Sequence, residues 1–157
     1  MEYVVVKPEQ LSDTTFNEIV KLIREGGEIK YPKLIPGNLR NASWVSLATQ
    51  DGKVCSVAVI KNPNQEYKAT IFEEAGVKDL ISQYPQELGY IVTKESFREK
   101  GHCQEVLNEL FKVVGKSLLY ASTRKPEMAR KLVRLGFKAE GNIYREDLEL
   151  YFYNGKQ

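Results

Sequence analysis

Residues 87–106 constrain the fold more than any other stretch, and they read Glu-Leu-Gly-Tyr-Ile-Val-Thr-Lys-Glu-Ser-Phe-Arg-Glu-Lys-Gly-His-Cys-Gln-Glu-Val. Residues 88–93 are apolar and β-branched, which is typical of a strand, and apolar residues then recur from Val106 to Val114 at helical spacing. A strand, a short loop and a helix therefore follow one another. Loop N–H groups and the positive end of the helix dipole converge at such a join, which suits a bound pyrophosphate. Arg98 and Lys100 add positive charge there.

Residues 98–103, Arg-Glu-Lys-Gly-His-Cys, resemble the acetyl-coenzyme A loop of the GCN5-related N-acetyltransferases, the GNAT superfamily. That family's pattern, after a strand, is Arg or Gln, two residues, Gly, one residue, and Gly or Ala. Cys103 departs from the last position. Because cysteine is small, the start of the helix can still approach the phosphates.

A second family feature follows the loop. Residues 117–122 are predicted to form a strand, and residues 126–135 a helix that ends in Leu135-Gly136-Phe137. The order of strand, loop, helix, strand, helix and Gly-Phe matches that of the family, with similar spacing. The resemblance covers residues 87–137 specifically, and the rest of the chain agrees in the order of elements.

The resemblance implies an α/β (α+β) fold with a mixed, largely antiparallel sheet flanked by helices, in which the parallel central strands splay apart. A length of 157 residues is enough for one domain with its own core, so we expect a single domain over residues 1–157.

Outside the core of the resemblance, local patterns predict further elements. Residues 3–6 and 148–153 are strand-like, and Asp51-Gly52 predicts a hairpin between two more strands. A first helix is capped by Ser12 or Thr15 and ends at Gly26-Gly27. Residues 30–42 are interpreted as a loop with room for a helical turn, residues 68–72 as a short extended segment, and residues 77–84 as a short helix.

The resemblance also implies acetyl-coenzyme A as the cofactor. Lys125 and Arg130 lie near the start of the helix predicted at residues 126–135. They either reach the nucleotide there or form an ordinary solvated helix face. His102 contacts the cofactor or faces outward, and Cys103 has a structural role. The predicted cofactor-binding residues are Ile91, Val92, Thr93, Arg98, Glu99, Lys100, Gly101, His102, Cys103, Gln104, Lys125 and Arg130.

Glu87 is the predicted general base. It lies eleven positions before Arg98, the offset at which histone-acetylating members of the family place their glutamate. The alternative is an exposed glutamate at a strand end. Many members use a tyrosine four residues before the Gly of Gly-Phe as the acid, but Leu132 stands there. Tyr144 is the predicted substitute and Tyr120 the alternative, and either can instead be a core aromatic.

The leading hypothesis is an N-acetyltransferase that transfers the acetyl group to a primary amine of a small molecule or peptide by direct attack on the thioester. Tyr31 and Arg40 are candidate substrate-binding residues, or part of an exposed connector. A non-catalytic acyl-coenzyme A-binding module is the alternative, and Leu132 favours it. A nucleotide triphosphatase is a further alternative, and the missing Lys-Ser/Thr dipeptide and glycine spacing argue against it.

Composition limits the partners. The formal charge is +2, from 23 Lys and Arg against 21 Asp and Glu, which argues against a nucleic-acid partner, although some relatives modify aminoacyl-tRNA. Two cysteines and one histidine give no disulfide framework and no metal-ligand spacing. The N-terminus has no signal-peptide or membrane-span pattern. We expect a cytoplasmic protein, and a homodimer is compatible with the family.

Overall fold

Two left-handed residues form the tip of the hairpin that the sequence predicts at Asp51 and Gly52. Their φ angles are 52° and 76°. Two such residues give a turn whose twist suits the neighbouring antiparallel strands. The flanking strands pair antiparallel, with Trp44 opposite Ile60. The hairpin prediction is confirmed.

The structure is a computed structural model that describes residues 1–27 and 29–155. In chain order its strands and helices are β1 (Glu2–Val6), α1 (Asp13–Gly26), α2 (Ile35–Arg40), β2 (Trp44–Gln50), β3 (Lys53–Lys61), α3 (Gln65–Glu74), β4 (Gln86–Thr93), α4 (His102–Val114), β5 (Leu119–Thr123), α5 (Pro126–Leu135), β6 (Lys138–Ala139) and β7 (Glu149–Tyr153). Among these described residues, no helix has both the length and the apolar character needed to cross a membrane.

The chain divides into two units, each with its own buried cluster. The first unit contains Met1–Lys61 and Leu88–Val114, and the second contains Asn62–Glu87 and Gly115–Gln157. The strand order is β1-β2-β3-β4 in the first unit and β4-β5-β7-β6 in the second. Strand β4 is named in both because its first two residues belong to the second unit and the others to the first. The expectation of one domain over residues 1–157 stays a prediction.

The sheet is mixed, with antiparallel pairing between β1 and β2, β2 and β3, β5 and β7, and β6 and β7. The parallel pair is β4 with β5. Its register joins Gln86 to Leu119 and Glu87 to Tyr120, which is two of the eight residues of β4. The predicted mixed, largely antiparallel sheet with a parallel central pair is confirmed.

In the first unit, α1 begins where Ser12 caps it, since the Ser12 hydroxyl accepts a hydrogen bond from the Thr15 N–H at 3.2 Å. Of the two caps that the sequence allowed, Ser12 is therefore the one used. The helix ends at Gly26, as predicted, and Gly27 follows as the C-cap. Its apolar face packs with β2 and β3 in the core of this unit.

Residues 30–42 were interpreted as a loop with room for a helical turn, and the structure forms helix α2 there over residues 35–40, which is longer than a single turn. Ile35 and Leu39 are both fully buried and lie four residues apart, so they face the same side of a helix. Pro36 is tolerated because it stands in the first turn, where its missing N–H would have no partner.

The extended segment predicted at residues 68–72 was also wrong, because it is part of helix α3. The Asn64 side chain caps this helix by accepting from the Tyr67 N–H at 2.9 Å. The buried residues are Lys68, Ile71 and Phe72, which share one helical face. The short helix predicted at residues 77–84 is reduced to a 3₁₀ turn over Lys78–Leu80.

The last turn of α1 approaches β4 very closely at Gly26. A Cβ added to Gly26 would lie 2.4 Å from Val92 Cγ1, a buried methyl group with little freedom to move. Gly26→Ala is therefore expected to lower the free energy of unfolding by about 1–3 kcal/mol in urea denaturation.

Gly37→Ala provides the control for this prediction. Gly37 lies inside α2 with no atom within 4 Å of its added Cβ, so alanine is expected to stabilise the helix slightly there. Equal unfolding midpoints for Gly26→Ala and the wild type would contradict the close approach.

Candidate functional site

The loop between β4 and α4 has an alternating backbone. A 3₁₀ turn, Glu95–Phe97, follows the strand, and Glu99 and Gly101 then have φ angles of 62° and 85° on either side of Lys100. Successive N–H groups point to one side of a backbone whose φ changes sign in this way, which makes a concave site for an anion. The predicted arrangement of strand, loop and helix is confirmed.

The backbone N–H groups at the end of this loop and at the start of α4 have no partner within the described part of the chain. Helix α4 begins at His102, so the N–H groups of its first turn have no partner inside the helix. For the backbone N–H groups of residues 99–104, the described part of the chain provides no hydrogen-bond acceptor. Gly101 leaves the site open, since an added Cβ would have no atom within 4 Å.

Arg98 and Lys100 add two cations here, and a nearby backbone carbonyl holds each side chain. The Arg98 Nε donates to the Thr93 carbonyl at 3.1 Å, and the Lys100 Nζ donates to the Ser96 carbonyl at 3.4 Å. Both residues are exposed. Unpaired N–H groups, a helix N-terminus and two cations together fit the diphosphate of coenzyme A.

The side chains of the first three residues of α4 differ in their contacts and burial. The His102 Nδ1 lies 2.9 Å from the Tyr3 hydroxyl, and the ring centroid lies 6.0 Å from that of Phe97. Cys103 is a free, partly buried thiol. The Gln104 Nε2 donates to Asn108 at 2.9 Å, while its buried Oε1 has no partner in the described residues.

Strand β4 has an irregularity where it approaches the loop. Tyr90 has a φ of 48°, a left-handed conformation that inside a strand is typical of a β-bulge. Leu88 and Val92 are buried, whereas Ile91 and Thr93 are half-buried. Because the Val92 side chain packs in the core of the first unit, only its backbone remains for a ligand.

A cleft of about 440 Å³ lies beside the loop in the first unit. Leu22, Glu25 and Gly26 of α1 line one side, and residues 93–96 with Arg98 line the other. The Thr93 hydroxyl there lies 2.8 Å from that of Ser56. This cleft has the size of a small-ligand site and shares Thr93 and Arg98 with the predicted cofactor-binding residues.

The substrate candidates Tyr31 and Arg40 lie in the first unit, on the segment containing α2. Tyr31 is exposed, with the Lys30 Nζ 5.6 Å from its ring centroid, and the Arg40 guanidinium lies 4.8 Å from the Phe16 centroid. The sequence did not reveal that this segment reaches β4, where Asn38 Nδ2 donates to the Tyr90 hydroxyl at 2.9 Å.

In the second unit, Glu87 is half-buried. It lies opposite Tyr120 in the parallel pairing of β4 with β5. The Tyr120 hydroxyl donates to the Glu87 carboxylate. Burial, and then the negative charge of Glu87, raise the pKa of Tyr120, so the phenol stays protonated. Tyr120 therefore holds the Glu87 carboxylate in place.

Tyr144 is buried near the same group of residues. Burial raises the pKa of Tyr144 to about 12, and its side-chain hydrogen bond with Ser122 opposes that rise. Glu87 also raises this pKa through its negative charge. The Tyr144 phenol is therefore protonated at neutral pH and can donate a hydrogen bond.

Lys68 is a charged residue that the sequence did not connect with Glu87. It is 1% exposed, and its Nζ donates to the carbonyls of Ile81 and Tyr84 at 2.7 and 2.5 Å. The same Nζ lies 5.5 Å from the Tyr120 ring centroid. Burial lowers the pKa of Lys68, and the negative charge of Glu87 opposes this effect. Glu87 therefore lies close enough to interact with a buried cation.

The fold is shared with solved structures, some of which are named as acyltransferases or acetyltransferases. The structure of ElaA from Escherichia coli is similar to this chain with a TM-score of 0.73 at 12% identity, over 98% of this chain and 99% of that chain. An acyl-CoA N-acyltransferase from Pseudomonas aeruginosa gives 0.70 at 14% identity, over 97% and 98%. A GNAT-family acetyltransferase from Streptococcus agalactiae gives 0.68 at 18% identity, over 99% and 96%. This chain has the GNAT fold.

The resemblance found in the sequence is thus confirmed at the level of the fold. No protein-family model matches the chain. No curated protein is significantly similar to it in sequence.

The position where the resemblance in sequence implies an acid is apolar. Leu132 is fully buried on α5, two turns after the exposed Lys125 and close to the exposed Arg130. No hydrogen bond of the Lys125 or Arg130 side chain is found within the described part of the chain, where both remain candidates for a nucleotide contact. Over residues 1–27 and 29–155, no cluster of His, Cys, Asp and Glu is suited to a metal ion.

Proposed function

We propose that the chain is an acetyl-coenzyme A-dependent N-acetyltransferase that acts on a primary amine of a small molecule or peptide. The observation that carries this proposal is the loop before α4, where the N–H groups of residues 99–104, which lack a partner among the described residues, face an open side at Gly101 beside two cations. The GNAT fold supports it. A cytoplasmic location and a homodimer remain part of the proposal.

The loop binds the diphosphate through its N–H groups, with Arg98 and Lys100 adding charge. When bound, acetyl-coenzyme A supplies the thioester carbonyl that the amine attacks. The backbone at residues 91–93 is the candidate contact for the pantetheine arm, because the left-handed backbone at Tyr90 interrupts the regular strand just before it. Lys125 and Arg130 are the candidate nucleotide contacts.

Glu87 removes the proton from the amine. Its carboxylate accepts the hydrogen bond of the Tyr120 hydroxyl, which holds it in place, and this carboxylate is the proposed proton acceptor. Tyr31 and Arg40 are the proposed substrate contacts.

Tyr144 donates to the sulfur of the departing thiolate. A phenol with a pKa of about 12 is a much weaker acid than a thiol, whose ordinary pKa is about 8.5, so complete proton transfer is unfavourable. A hydrogen bond that strengthens as charge develops on sulfur is the contribution that this pKa allows. Tyr144 therefore assists the leaving group without being indispensable.

Tyr144→Phe is accordingly expected to lower kcat by about tenfold to a hundredfold. The loss should be nearly the same at every pH between 6 and 9, roughly, because a phenol with a raised pKa of about 12 is protonated throughout that range. A pH profile of kcat for both proteins checks this expectation. A loss confined to the alkaline side would contradict the protonated role.

The activity itself is tested by incubating the protein with acetyl-coenzyme A and a panel of amines, including peptides, and measuring the released thiol. Release that depends on one amine, with the acetylated product seen in mass spectrometry, supports the proposal. The second candidate is a non-catalytic acyl-coenzyme A-binding module, which the apolar Leu132 favours. Tight coenzyme A binding with no amine-dependent release across the panel would establish that alternative.

A further inference from the structure

The loop between β6 and β7 presents Tyr144 at the base of a strained tip. Tyr144 and Leu148 exchange two backbone hydrogen bonds of 2.9 Å each, which closes the tip over residues 145–147. Arg145 and Glu146 have φ angles of 45° and 74°. Residues with side chains rarely adopt this left-handed conformation, so the surrounding structure must stabilise it.

Arg145 links this tip to the end of α3 through an ion pair with Glu74. Its Nε and Nη2 each lie 3.0 Å from a different carboxylate oxygen of Glu74. Its Nη1 lies 3.4 Å from the Tyr67 hydroxyl, and the guanidinium is 5.5 Å from the Tyr67 ring centroid. A planar guanidinium with two parallel hydrogen bonds fixes direction as well as distance, which a lysine cannot do.

A backbone hydrogen bond links the chain just before Tyr144 to the same end of α3. The Asn142 N–H donates to the Ala75 carbonyl at 2.7 Å. Glu74 is the last residue of α3 and Ala75 is its C-cap, so neighbouring residues hold the loop before and after Tyr144. Every residue of this arrangement belongs to the second unit.

We propose that the ion pair of Arg145 with Glu74 positions the Tyr144 phenol for donation to the leaving thiolate. This inference rests on the proposed acetyltransferase function. Neither charged residue is a catalytic residue: they act through Tyr144 by fixing the backbone on which it stands.

Steady-state kinetics test the inference with Glu74→Gln and Arg145→Gln. Each is expected to lower kcat by about tenfold while changing the KM for acetyl-coenzyme A by less than about twofold. The exchange variant, Glu74→Arg with Arg145→Glu, should recover most of kcat. Asp147→Asn is the matched control, because it removes an exposed ion pair with Arg124 from the same tip and should leave kcat unchanged.

The decisive comparison is made in the Tyr144→Phe background. If the ion pair acts through the phenol, Glu74→Gln should cause no further loss of kcat there. An equal loss in both backgrounds, or an unchanged kcat for Glu74→Gln in the wild type, would overturn the inference.

A spectroscopic readout separates this inference from the proposed activity. In protein labelled with ¹³C at tyrosine Cζ, the Tyr144 signal is identified by its loss in Tyr144→Phe. Glu74→Gln and Arg145→Gln should shift or split that signal, and the exchange variant should restore it. An unmoved signal overturns the positioning role whether or not any amine is acetylated, whereas a shifted signal in a protein without turnover contradicts only the activity.

Discussion

Substitution of Gly101 by aspartate is expected to abolish coenzyme A binding while leaving the fold intact. An added Cβ would have no atom within 4 Å, and Asp tolerates the left-handed φ of 85° better than most residues. The new carboxylate would stand beside the diphosphate. Two like charges about 4 Å apart repel by roughly 4 kcal/mol at an effective dielectric constant of about 20, which is about a thousandfold in Kd.

Gly101→Asn is the matched control, because asparagine has nearly the same shape and the same tolerance of this backbone but no charge. Calorimetric titration with coenzyme A should show a loss of less than about tenfold for Asn and a loss near a thousandfold for Asp. Equal affinity for the Asp variant and the wild type would remove the diphosphate from this loop.

Glu87→Gln is expected to lower kcat by about a hundredfold to a thousandfold, with the largest loss at lower pH. The base contributes most to the rate at lower pH, because the amine substrate is mostly protonated under those conditions. The glutamine side chain of this variant would still present an oxygen to the Tyr120 hydroxyl, so the packing of the second unit should survive.

The control for this prediction is Glu66→Gln, which changes an exposed glutamate in the first turn of α3 of the same unit. Rate measurements from about pH 6 to pH 9 compare the two variants. A pH profile of Glu87→Gln that coincides with that of the wild type would make Glu87 a structural residue of β4.

The sequence was sufficient for the central part of the fold because its signals there are local. Asp51-Gly52 permits a two-residue hairpin turn, and Gly136 with a φ of 111° ends α5 just before Phe137. The loop before α4 was found because a six-residue pattern and a Gly-Phe helix end lie at family spacing. These features depend on a few neighbouring residues.

Helix α3 was missed because its buried face includes a charge. Lys68, Ile71, Phe72 and Ala75 have the spacing of a helical face, but the lysine interrupts its apolar pattern, and residues 68–72 were interpreted as a short extended segment. The cap at Asn64, whose side chain accepts from Tyr67, was the signal that could have identified the helix.

The surroundings of the candidate acid and base could not be read from sequence because they join distant residues. Glu74 and Arg145, which hold the loop of Tyr144, are 71 positions apart. Single-sequence patterns carry no information about such pairs. Glu87 and Tyr144 were found as candidates, whereas the bonds that hold them depend on tertiary packing.

The claim on which the account depends is that the backbone N–H groups of residues 99–104 bind the diphosphate of coenzyme A. Amide chemical shifts of ¹⁵N-labelled protein, recorded during titration with coenzyme A and separately with pantetheine, test it directly. We expect the amides of residues 99–104 to shift with coenzyme A and not with pantetheine, which has no diphosphate. Unchanged amides in this loop at saturating coenzyme A would contradict it.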